Sequence, residues 1–249
     1  MKIELSRSQF ENDGFLVIRN FLPDAEFAAL TENVDRFIRD VVPGLSSAFA
    51  FYDDRDRPET LKQLSHMDSD SFFADYKSHP RWLETAQTLL GEETVVQGIE
   101  WFNKPPNTDH ATPPHQDNYY FCLTPPRVLT MWLALDPIDH ENGCLRYIKG
   151  SNGDGLRPHH RTQTLGFSQG LSDFGERDSE REEAIVAEPN DLLIHHGNTI
   201  HRADANTSTT RHRRSFAMVV RAINCQRDES AYGTYLESSN QQRNELVGE

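Results

Sequence analysis

The chain has 249 residues, a formal net charge of -14 and a hydrophobic share of 36%. This composition supports a folded core, and the length suits one large domain or two small ones. The acidic charge disfavours nucleic acid as a partner, because a protein that grips phosphates needs a basic surface. No apolar run approaches the roughly 18 residues that a membrane helix requires, so no membrane partner is expected.

The first residues and the cysteines indicate a cytoplasmic protein. The start MKIELSRSQF lacks the apolar segment of a secretory signal. The three cysteines, Cys122, Cys144 and Cys225, are odd in number, lie far apart and form no Cys-x-x-Cys pair. A disulfide framework or a zinc ribbon is therefore not expected, and reduced thiols in the cytoplasm are the simpler interpretation.

A helical N-terminal part is predicted over about residues 1–92. Its main helix has Asp24 as a suitable N-cap, apolar residues every three or four positions up to Val41, and a stop at Pro43-Gly44. The predicted elements are, in chain order, a strand at 15–18, helices at 24–41, 70–76 and 81–90, and a polar, irregular stretch at 45–68.

Strand-like runs replace helical ones from about residue 93, and turn signals rich in proline, glycine and asparagine separate them. Short strands with regular turns predict a jelly roll, the cupin-like double-stranded β-helix, over about residues 93–225. The expected fold class is therefore mainly β with N-terminal helices, in a single domain over 1–225. The predicted strands are 95–102, 128–135, 144–148, 184–187, 192–195 and 215–220.

Two segments of this half carry no strand pattern. Residues 151–183 show little periodicity, and a long irregular insert in a compact domain is typically a functional lid. Residues 226–249 form a polar C-terminal tail, which is expected to be poorly ordered.

The sequence PPHQDNYYF carries a candidate metal site. On an extended segment, residues i and i+2 point to the same side, so His115 and Asp117 can both reach one metal ion. A distant histidine would complete a triad of two histidines and one carboxylate. That triad suits non-haem Fe(II) and leaves positions open for O2 and a cosubstrate.

The His-x-Asp pattern is not specific by itself. It occurs twice, about as often as the histidine and aspartate content would give by chance. The other pair, His66 and Asp68, lies in the irregular stretch among the helices. His115 and Asp117 lie in the strand-rich half, and this context favours them as ligands.

The third ligand is expected in the segment LLIHHGNTIHRADAN, which contains His195, His196 and His201. The runs HQDNYYF, LTMWLAL, ENGCLR, KGS and HGNTIH, the last followed by Asn206, resemble the phytanoyl-CoA dioxygenase family of Fe(II)/2-oxoglutarate oxygenases, in matching order over most of 10–222. This resemblance implies that His201 is the distal iron ligand. His196 is then a pocket or core histidine, and His195, on the opposite strand face, is expected to be packed or at the surface.

The resemblance also implies 2-oxoglutarate as the cosubstrate and an arginine for its distal carboxylate. A guanidinium suits this role because its planar fork binds a carboxylate through two parallel hydrogen bonds. The family places this arginine about a dozen residues after the distal histidine, where Arg211, Arg213 and Arg214 compete. We favour Arg213, which would share an inward strand face with the small residues Ser215 and Ala217.

Further pocket residues follow from the resemblance. Trp132 would lie near the cosubstrate, or serve as a core aromatic. Asn118 and Tyr120 come directly after the proximal ligands and would bind substrate. Some relatives carry a serine two residues after the distal histidine, whereas this chain has Ala203. Another donor must then help hold the carboxylate, or the arginine acts with less help.

Together these residues predict an Fe(II)- and 2-oxoglutarate-dependent dioxygenase. It would use O2 to hydroxylate an unactivated C–H bond of a small-molecule metabolite and release succinate and CO2. Asp117 favours hydroxylation, because halogenases related to the family carry glycine or alanine there. The alternatives are the same chemistry on an acyl-CoA or lipid-like substrate, and a non-catalytic jelly-roll protein that binds a metabolite. Lys104 and the run 157–161 are the candidate contacts to CoA phosphates.

Overall fold

The computed structural model describes residues 6–164 and 167–247 of the chain. Within these ranges no helix is both long enough and apolar enough to cross a membrane. The three cysteines are free thiols, with Cys144 and Cys225 buried and Cys122 half-buried.

The described residues form seven α-helices. Local capping fixes several of their ends: Ser6 Oγ accepts the Gln9 N–H at the start of the first helix, and Asp70 accepts the Phe72 N–H at the start of the third. Gly91 ends the fourth helix in the left-handed conformation that glycine adopts without strain. The helices are α1 Arg7–Asp13, α2 Asp24–Asp40, α3 Ser71–Tyr76, α4 Pro80–Leu90, α5 Asp117–Phe121, α6 Glu176–Ser179 and α7 Glu229–Val247.

The β-strands of the described part pair antiparallel throughout. They are β1 Phe15–Ile18, β2 Ala50–Tyr52, β3 Leu61–Leu64, β4 Thr94–Lys104, β5 Thr112–His115, β6 Leu123–Thr124, β7 Val128–Ala134, β8 Leu145–Ile148, β9 His159–Thr164, β10 Phe167–Leu171, β11 Glu182–Ile185, β12 Leu192–His196, β13 His201–Ala203, β14 Arg213–Ala222 and β15 Gln226–Arg227.

Two sheets make the core. The major sheet has the order β1-β12-β7-β14-β4-β3-β2, and the minor sheet has the order β11-β8-β13-β5. β9 pairs with β10, and β6 with β15. Most strands that are neighbours in these two sheets are distant in sequence, and the N-terminal helices pack against the major sheet. This is the predicted jelly-roll core with N-terminal helices.

Alternation along the major sheet separates its two faces. On β14, Phe216 and Met218 belong to the apolar cluster that the N-terminal helices cover, together with Trp82 of α4. Ala217 lies on the opposite face in a second cluster, where it is opposite Trp132 of β7. The predicted division of β14 into inward and outward residues is confirmed. The inward residues are small, which leaves space between the sheets.

The N-terminal part contains more structure than its sequence predicts. The stretch 45–68, read as irregular, contains β2 and β3, which extend the edge of the major sheet beside β4. These strands are short and only Leu61 and Leu64 are buried on β3, so pairing with a neighbour stabilises them more than their own hydrophobic pattern does. Helix α1 was also not predicted.

The lid-like insert and the tail are both more ordered than predicted. The insert 151–183 contains the β9–β10 hairpin, α6 and the start of β11, although its residues 165–166 lie outside the described part. The prediction of a poorly ordered tail over 226–249 is wrong for most of it, because α7 runs from Glu229 to Val247. Residues 248–249 lie outside the described part. The helix carries no clear apolar stripe, and its contacts with the hairpin are polar.

Candidate metal centre and adjoining cavities

Two histidines face each other on neighbouring strands of the minor sheet. β5 pairs with β13 so that His115 lies directly opposite His201, and the centroids of the two rings are 4.1 Å apart. Both residues are buried, with 2% and 6% of their surface exposed. Directly opposite residues place their side chains on one face of a sheet. The strand register therefore brings together two histidines that are far apart in sequence.

Asp117 reaches the same point by a route that differs from the predicted one. It does not continue strand β5. It is the first residue of α5, and Gln116 precedes it with extended backbone. His115 and Asp117 thus do not lie on one face of an extended strand, as predicted, because the turn into α5 directs the carboxylate. The Gln116 amide points elsewhere and donates to the carbonyls of Gly155 and Asn198.

The three predicted ligand side chains converge. Asp117 Oδ1 lies 3.6 Å from His115 Nε2 and 3.5 Å from His201 Nε2. The other ring nitrogen of each histidine donates to a backbone carbonyl, His115 Nδ1 to Pro113 at 2.8 Å and His201 Nδ1 to Thr199 at 3.0 Å. Such bonds fix the imidazole tautomer and direct Nε2 towards a metal. Within the described residues these three side chains form a group able to hold a metal ion.

The protonation states also suit a metal. Burial alone would raise the pKa of Asp117, but the neighbouring His201, His115 and His195 rings outweigh it and hold that pKa well below its usual range. Burial, reinforced by the adjacent histidines, lowers the pKa of His201 well below its usual value. A carboxylate and a neutral imidazole are the forms that bind metals.

The second oxygen of Asp117 is held from the major sheet. Thr130 Oγ1 donates to Oδ2 at 2.5 Å, and His195 Nε2 donates to the same oxygen at 3.0 Å. The hydroxyl of Tyr147 in turn donates to His195 Nδ1 at 3.0 Å. Asp117 therefore presents Oδ1 to the two histidines while Oδ2 is engaged.

His195 is thus a site residue that the sequence did not identify. Of the two expected placements, packed or at the surface, the structure shows the packed one. His195 also contacts the metal-binding carboxylate, which was not expected. It lies opposite Thr130 in the register of β12 and β7, on the inward face of the major sheet. This register depends on pairing between distant strands, and the sequence carried no signal for it beyond alternation. His196 lies on the other face, and its Nδ1 accepts the backbone N–H of Asn198.

A first cavity, of about 110 Å³, extends from the metal-binding group between the sheets. Trp132 and Arg213 line it together with the three ligand side chains. The Arg213 guanidinium carbon lies 5.4 Å from the centroid of the Trp132 ring. Arg213 is 5% exposed and its Nε has no hydrogen-bond partner, and among the described residues no carboxylate pairs with it. Burial lowers the pKa of Arg213 to about 10, so the group remains a cation at neutral pH.

The two competing arginines are engaged elsewhere. Arg211 binds Asp139 and Glu141, and Arg214 binds Asp136 through several hydrogen bonds. Arg214 lies on the opposite face of β14 from Arg213, whereas Arg211 precedes the strand, and both are half-buried. The geometry leaves Arg213 as the arginine of the three that faces the cavity.

Lys104 is a second buried basic residue at this cavity. It lies opposite Arg213 in the register of β4 and β14. Its ammonium group donates to the carbonyls of His110, Ala203 and Asp204. Burial and the charge of Arg213 lower the pKa of Lys104 to about 6. The sequence offered this residue as a candidate phosphate contact, whereas the structure buries it beside Arg213.

A second cavity, of about 400 Å³, opens on the other side of the ligand group. Tyr120 lines it, and so do His66 and Asp68 of the rejected His-x-Asp pair. Asn118 lines neither cavity: its amide oxygen accepts the Leu123 N–H, and its amide nitrogen donates to the Leu123 carbonyl. The structure thus gives Asn118 a turn-closing contact in place of the predicted substrate contact.

Helix α7 lines this second cavity with Tyr232 and Tyr235, and the β9–β10 hairpin of the insert supports that helix. The Tyr120 hydroxyl donates to the Gln169 carbonyl of β10 at 2.6 Å. Gln169 Nε2 donates to Ser238 Oγ of α7 at 2.9 Å, and the buried Gln242 amide of α7 donates to the Thr162 carbonyl of β9. Tyr235 of α7 packs on Tyr120 with ring centroids 5.5 Å apart. The hairpin therefore contacts both Tyr120 and α7, which line the cavity.

A jelly roll that holds two histidines and one carboxylate between its sheets is the arrangement typical of the non-haem Fe(II) oxygenases. The family model described as "Phytanoyl-CoA dioxygenase (PhyH)" matches residues 10–215. The chain belongs to this family.

Known relatives agree with this assignment. The peroxisomal phytanoyl-CoA dioxygenase of Bos taurus is 26% identical over 220 residues, which cover 81% of this chain and 64% of that protein. The chain thus spans less than two thirds of the length of this relative. Among solved structures, the epimerase SnoN in complex with Fe3+, alpha ketoglutarate and nogalamycin RO has a TM-score of 0.71 at 19% identity, covering 88% of this chain and 83% of SnoN. EvdO2 of Micromonospora carbonacea var. aurantiaca, complexed with 2-oxoglutarate, has a TM-score of 0.68 at 24% identity, covering 87% and 89%.

Proposed function

We propose that the protein is an Fe(II)- and 2-oxoglutarate-dependent dioxygenase that hydroxylates a C–H bond of a small-molecule metabolite. One observation carries the proposal: the convergent group of His115, Asp117 and His201 shares a cavity with a buried arginine that no carboxylate of the described residues neutralises. A buried cation without a partner is costly. Arg213 therefore fits a site that is completed by an anionic ligand.

The residues that line the first cavity suit both Fe(II) and 2-oxoglutarate. Two imidazole nitrogens and one carboxylate oxygen suit non-haem Fe(II), with coordination positions left for other ligands. A guanidinium that lines the same cavity suits the distal carboxylate of 2-oxoglutarate. When bound, iron and 2-oxoglutarate supply the oxidising chemistry, with O2 consumed and succinate and CO2 released.

The chain itself supplies position and protection. His115, His201 and Asp117 Oδ1 would hold the metal, and the Arg213 guanidinium would hold the cosubstrate against the Trp132 ring. The second cavity would place the substrate beside the metal ligands, because His115 and Asp117 line both cavities. Helix α7 would cover the second cavity, and the β9–β10 hairpin of the predicted lid would hold α7 there and so help to exclude water.

The charges of the insert favour a small metabolite over an acyl-CoA. Arg157 binds Asp173 and Asp178, and Arg161 binds Glu245 of α7. Lys104 is buried between the sheets. The basic residues that could grip CoA phosphates are thus already engaged. The name of the bovine relative refers to phytanoyl-CoA, and the sequence alternative of an acyl-CoA substrate has less support in this chain.

The proposal predicts a spectroscopic signal. Adding Fe(II) and then 2-oxoglutarate to the purified protein under anaerobic conditions is expected to give a weak visible charge-transfer band. Admitting O2 should then give slow succinate release even without substrate. Fe(II) alone serves as the blank, because the band requires the cosubstrate on the metal. Absence of both signals in folded protein would instead favour the non-catalytic binding protein.

His195 offers a separate prediction about the metal site. His195→Phe removes one of the two donors to Asp117 Oδ2, and loss of such an outer partner typically weakens metal binding about 10- to 100-fold. The measurement is Fe(II) affinity by anaerobic titration of the band. His195→Gln, which keeps a donor, should recover part of the affinity. Equal Fe(II) affinity in His195→Phe and wild type would contradict this positioning role.

A further inference from the structure

The inner end of the second cavity holds a carboxylic acid that the proposed chemistry does not use. Glu100 lies on β4 and lines this cavity together with Asp117. Its neighbours Ile99 and Trp101 point to the opposite face, into the core under the helices. Ala217 lies directly opposite Glu100 on β14, and a methyl group offers the carboxyl no hydrogen bond. Glu100 is therefore directed between the sheets, beside the metal-binding group.

No cation of the described residues pairs with Glu100. Burial raises the pKa of Glu100 to about 7, the charge of Asp117 adds to this, and the Gln63 amide offsets part of it. Glu100 is half-buried, and withdrawing a carboxylate from water is costly without a cationic partner, whereas a paired and hydrogen-bonded one is tolerated. This end of the cavity is thus suited to a ligand that brings positive charge and hydrogen-bond donors.

A β-bulge directs a second acceptor into the same cavity. In the register of β14 with β4, Val219 pairs with Gly98 and Val220 with Val96, so Gln97 has no partner. Bulges re-aim a side chain and are frequent next to active sites. Gln97 lines the second cavity, and its buried Oε1 has no hydrogen-bond partner.

The remaining charged groups of the cavity are accounted for. Asp68 forms an ion pair with Lys77 at 2.8 Å, and Asp117 belongs to the metal group. The one guanidinium that lines the cavity within the described residues is that of the exposed Arg227, which lies over the Tyr232 ring at 4.1 Å. The cavity therefore has hydrogen-bond acceptors at its inner end and a cation at its mouth.

We propose that the second cavity binds its substrate through a protonated amine, which pairs with Glu100 and donates to Gln97 Oε1. The inference rests on the proposed function, which makes this cavity the substrate site. An ammonium group brings up to three donors and a charge, whereas a hydroxyl brings one donor and no charge. Arg227 at the mouth would face an anionic or polar end of the same molecule. The volume of about 400 Å³ suits a metabolite of ordinary size.

The test compares amines with their neutral counterparts. Anaerobic protein loaded with Fe(II) and 2-oxoglutarate is titrated with a panel of amino acids and small aliphatic amines, and with the N-acetyl form of each. Binding is read from the change in the charge-transfer band and from the melting temperature. At least one amine is expected to bind tenfold more tightly than its acetylated form. In Glu100→Gln that preference should fall at least tenfold while the band persists.

Two further variants make the result decisive. Glu93→Gln removes an exposed carboxylate just before β4 and should keep the wild-type preference. Gln97→Leu should weaken amine binding with Glu100 intact, which covers the case in which Glu100→Gln does not fold. The proposal is overturned if no amine of the panel binds more tightly than its acetylated form, or if the Glu100→Gln protein keeps the preference. Absence of the band in wild type would reject the metal assignment instead, and the amine comparison would still be read from melting temperatures.

Discussion

His115→Ala and His201→Ala are each expected to abolish the charge-transfer band and the release of succinate. Each change removes one of the two nitrogens that face Asp117 Oδ1. Loss of an outer partner of a metal ligand already costs about 10- to 100-fold in affinity, so loss of a ligand itself should weaken Fe(II) binding by more than about 100-fold. The measurement is the anaerobic Fe(II) titration in the presence of 2-oxoglutarate.

The matched control is the other His-x-Asp pair. His66→Ala should keep the band, because the His66 ring packs on Phe49 at 4.7 Å and Asp68 is engaged by Lys77. Circular dichroism and melting curves should show that all variants are folded. A band that persists in His115→Ala, or that disappears in His66→Ala, would move the metal site away from the jelly-roll core.

The major elements of the core were predictable because their patterns are local. The strands predicted at 95–102, 128–135 and 192–195 correspond to β4, β7 and β12 within two residues at each end. Apolar and β-branched runs bounded by turn residues signal such strands without knowledge of their partners. Helix α7 could not be predicted in this way, because its sequence is polar and its ordering depends on hydrogen bonds to the distant β9–β10 hairpin.

The metal-ligand side chains of the candidate site could be predicted from the sequence, whereas the residues that surround them could not. The resemblance to a family placed His201 with His115, and the structure brings the two together through strand register. His195 was missed, since its contact with Asp117 arises from pairing between β7 and β12 and from the turn into α5. Glu100 and Gln97 were missed for the same reason. Their exposure to a cavity depends on which strand lies opposite and on a bulge that no local pattern reveals.

Arg213→Met is expected to weaken 2-oxoglutarate binding and at the same time to raise the melting temperature of the ligand-free protein. Truncating one partner of a buried charged contact costs about 2–5 kcal/mol, and each 1.4 kcal/mol is about tenfold in affinity. The KM for 2-oxoglutarate should therefore rise about 30-fold to several thousand-fold. The ligand-free variant should melt at a higher temperature than wild type, because an uncompensated buried cation is replaced by an apolar side chain of similar length.

The competing arginines provide the controls for this prediction. Arg211→Met removes a group that binds Asp139 and Glu141 near the surface, and the KM for 2-oxoglutarate should stay near that of wild type. Arg214→Met breaks the contact with Asp136 and should lower the melting temperature with little change in that KM. These opposite stability effects follow from pairing: Arg214 has a carboxylate partner in Asp136, whereas Arg213 has none among the residues that the structure describes. A large rise in KM for Arg211→Met, with an unchanged KM for Arg213→Met, would transfer the carboxylate contact to Arg211.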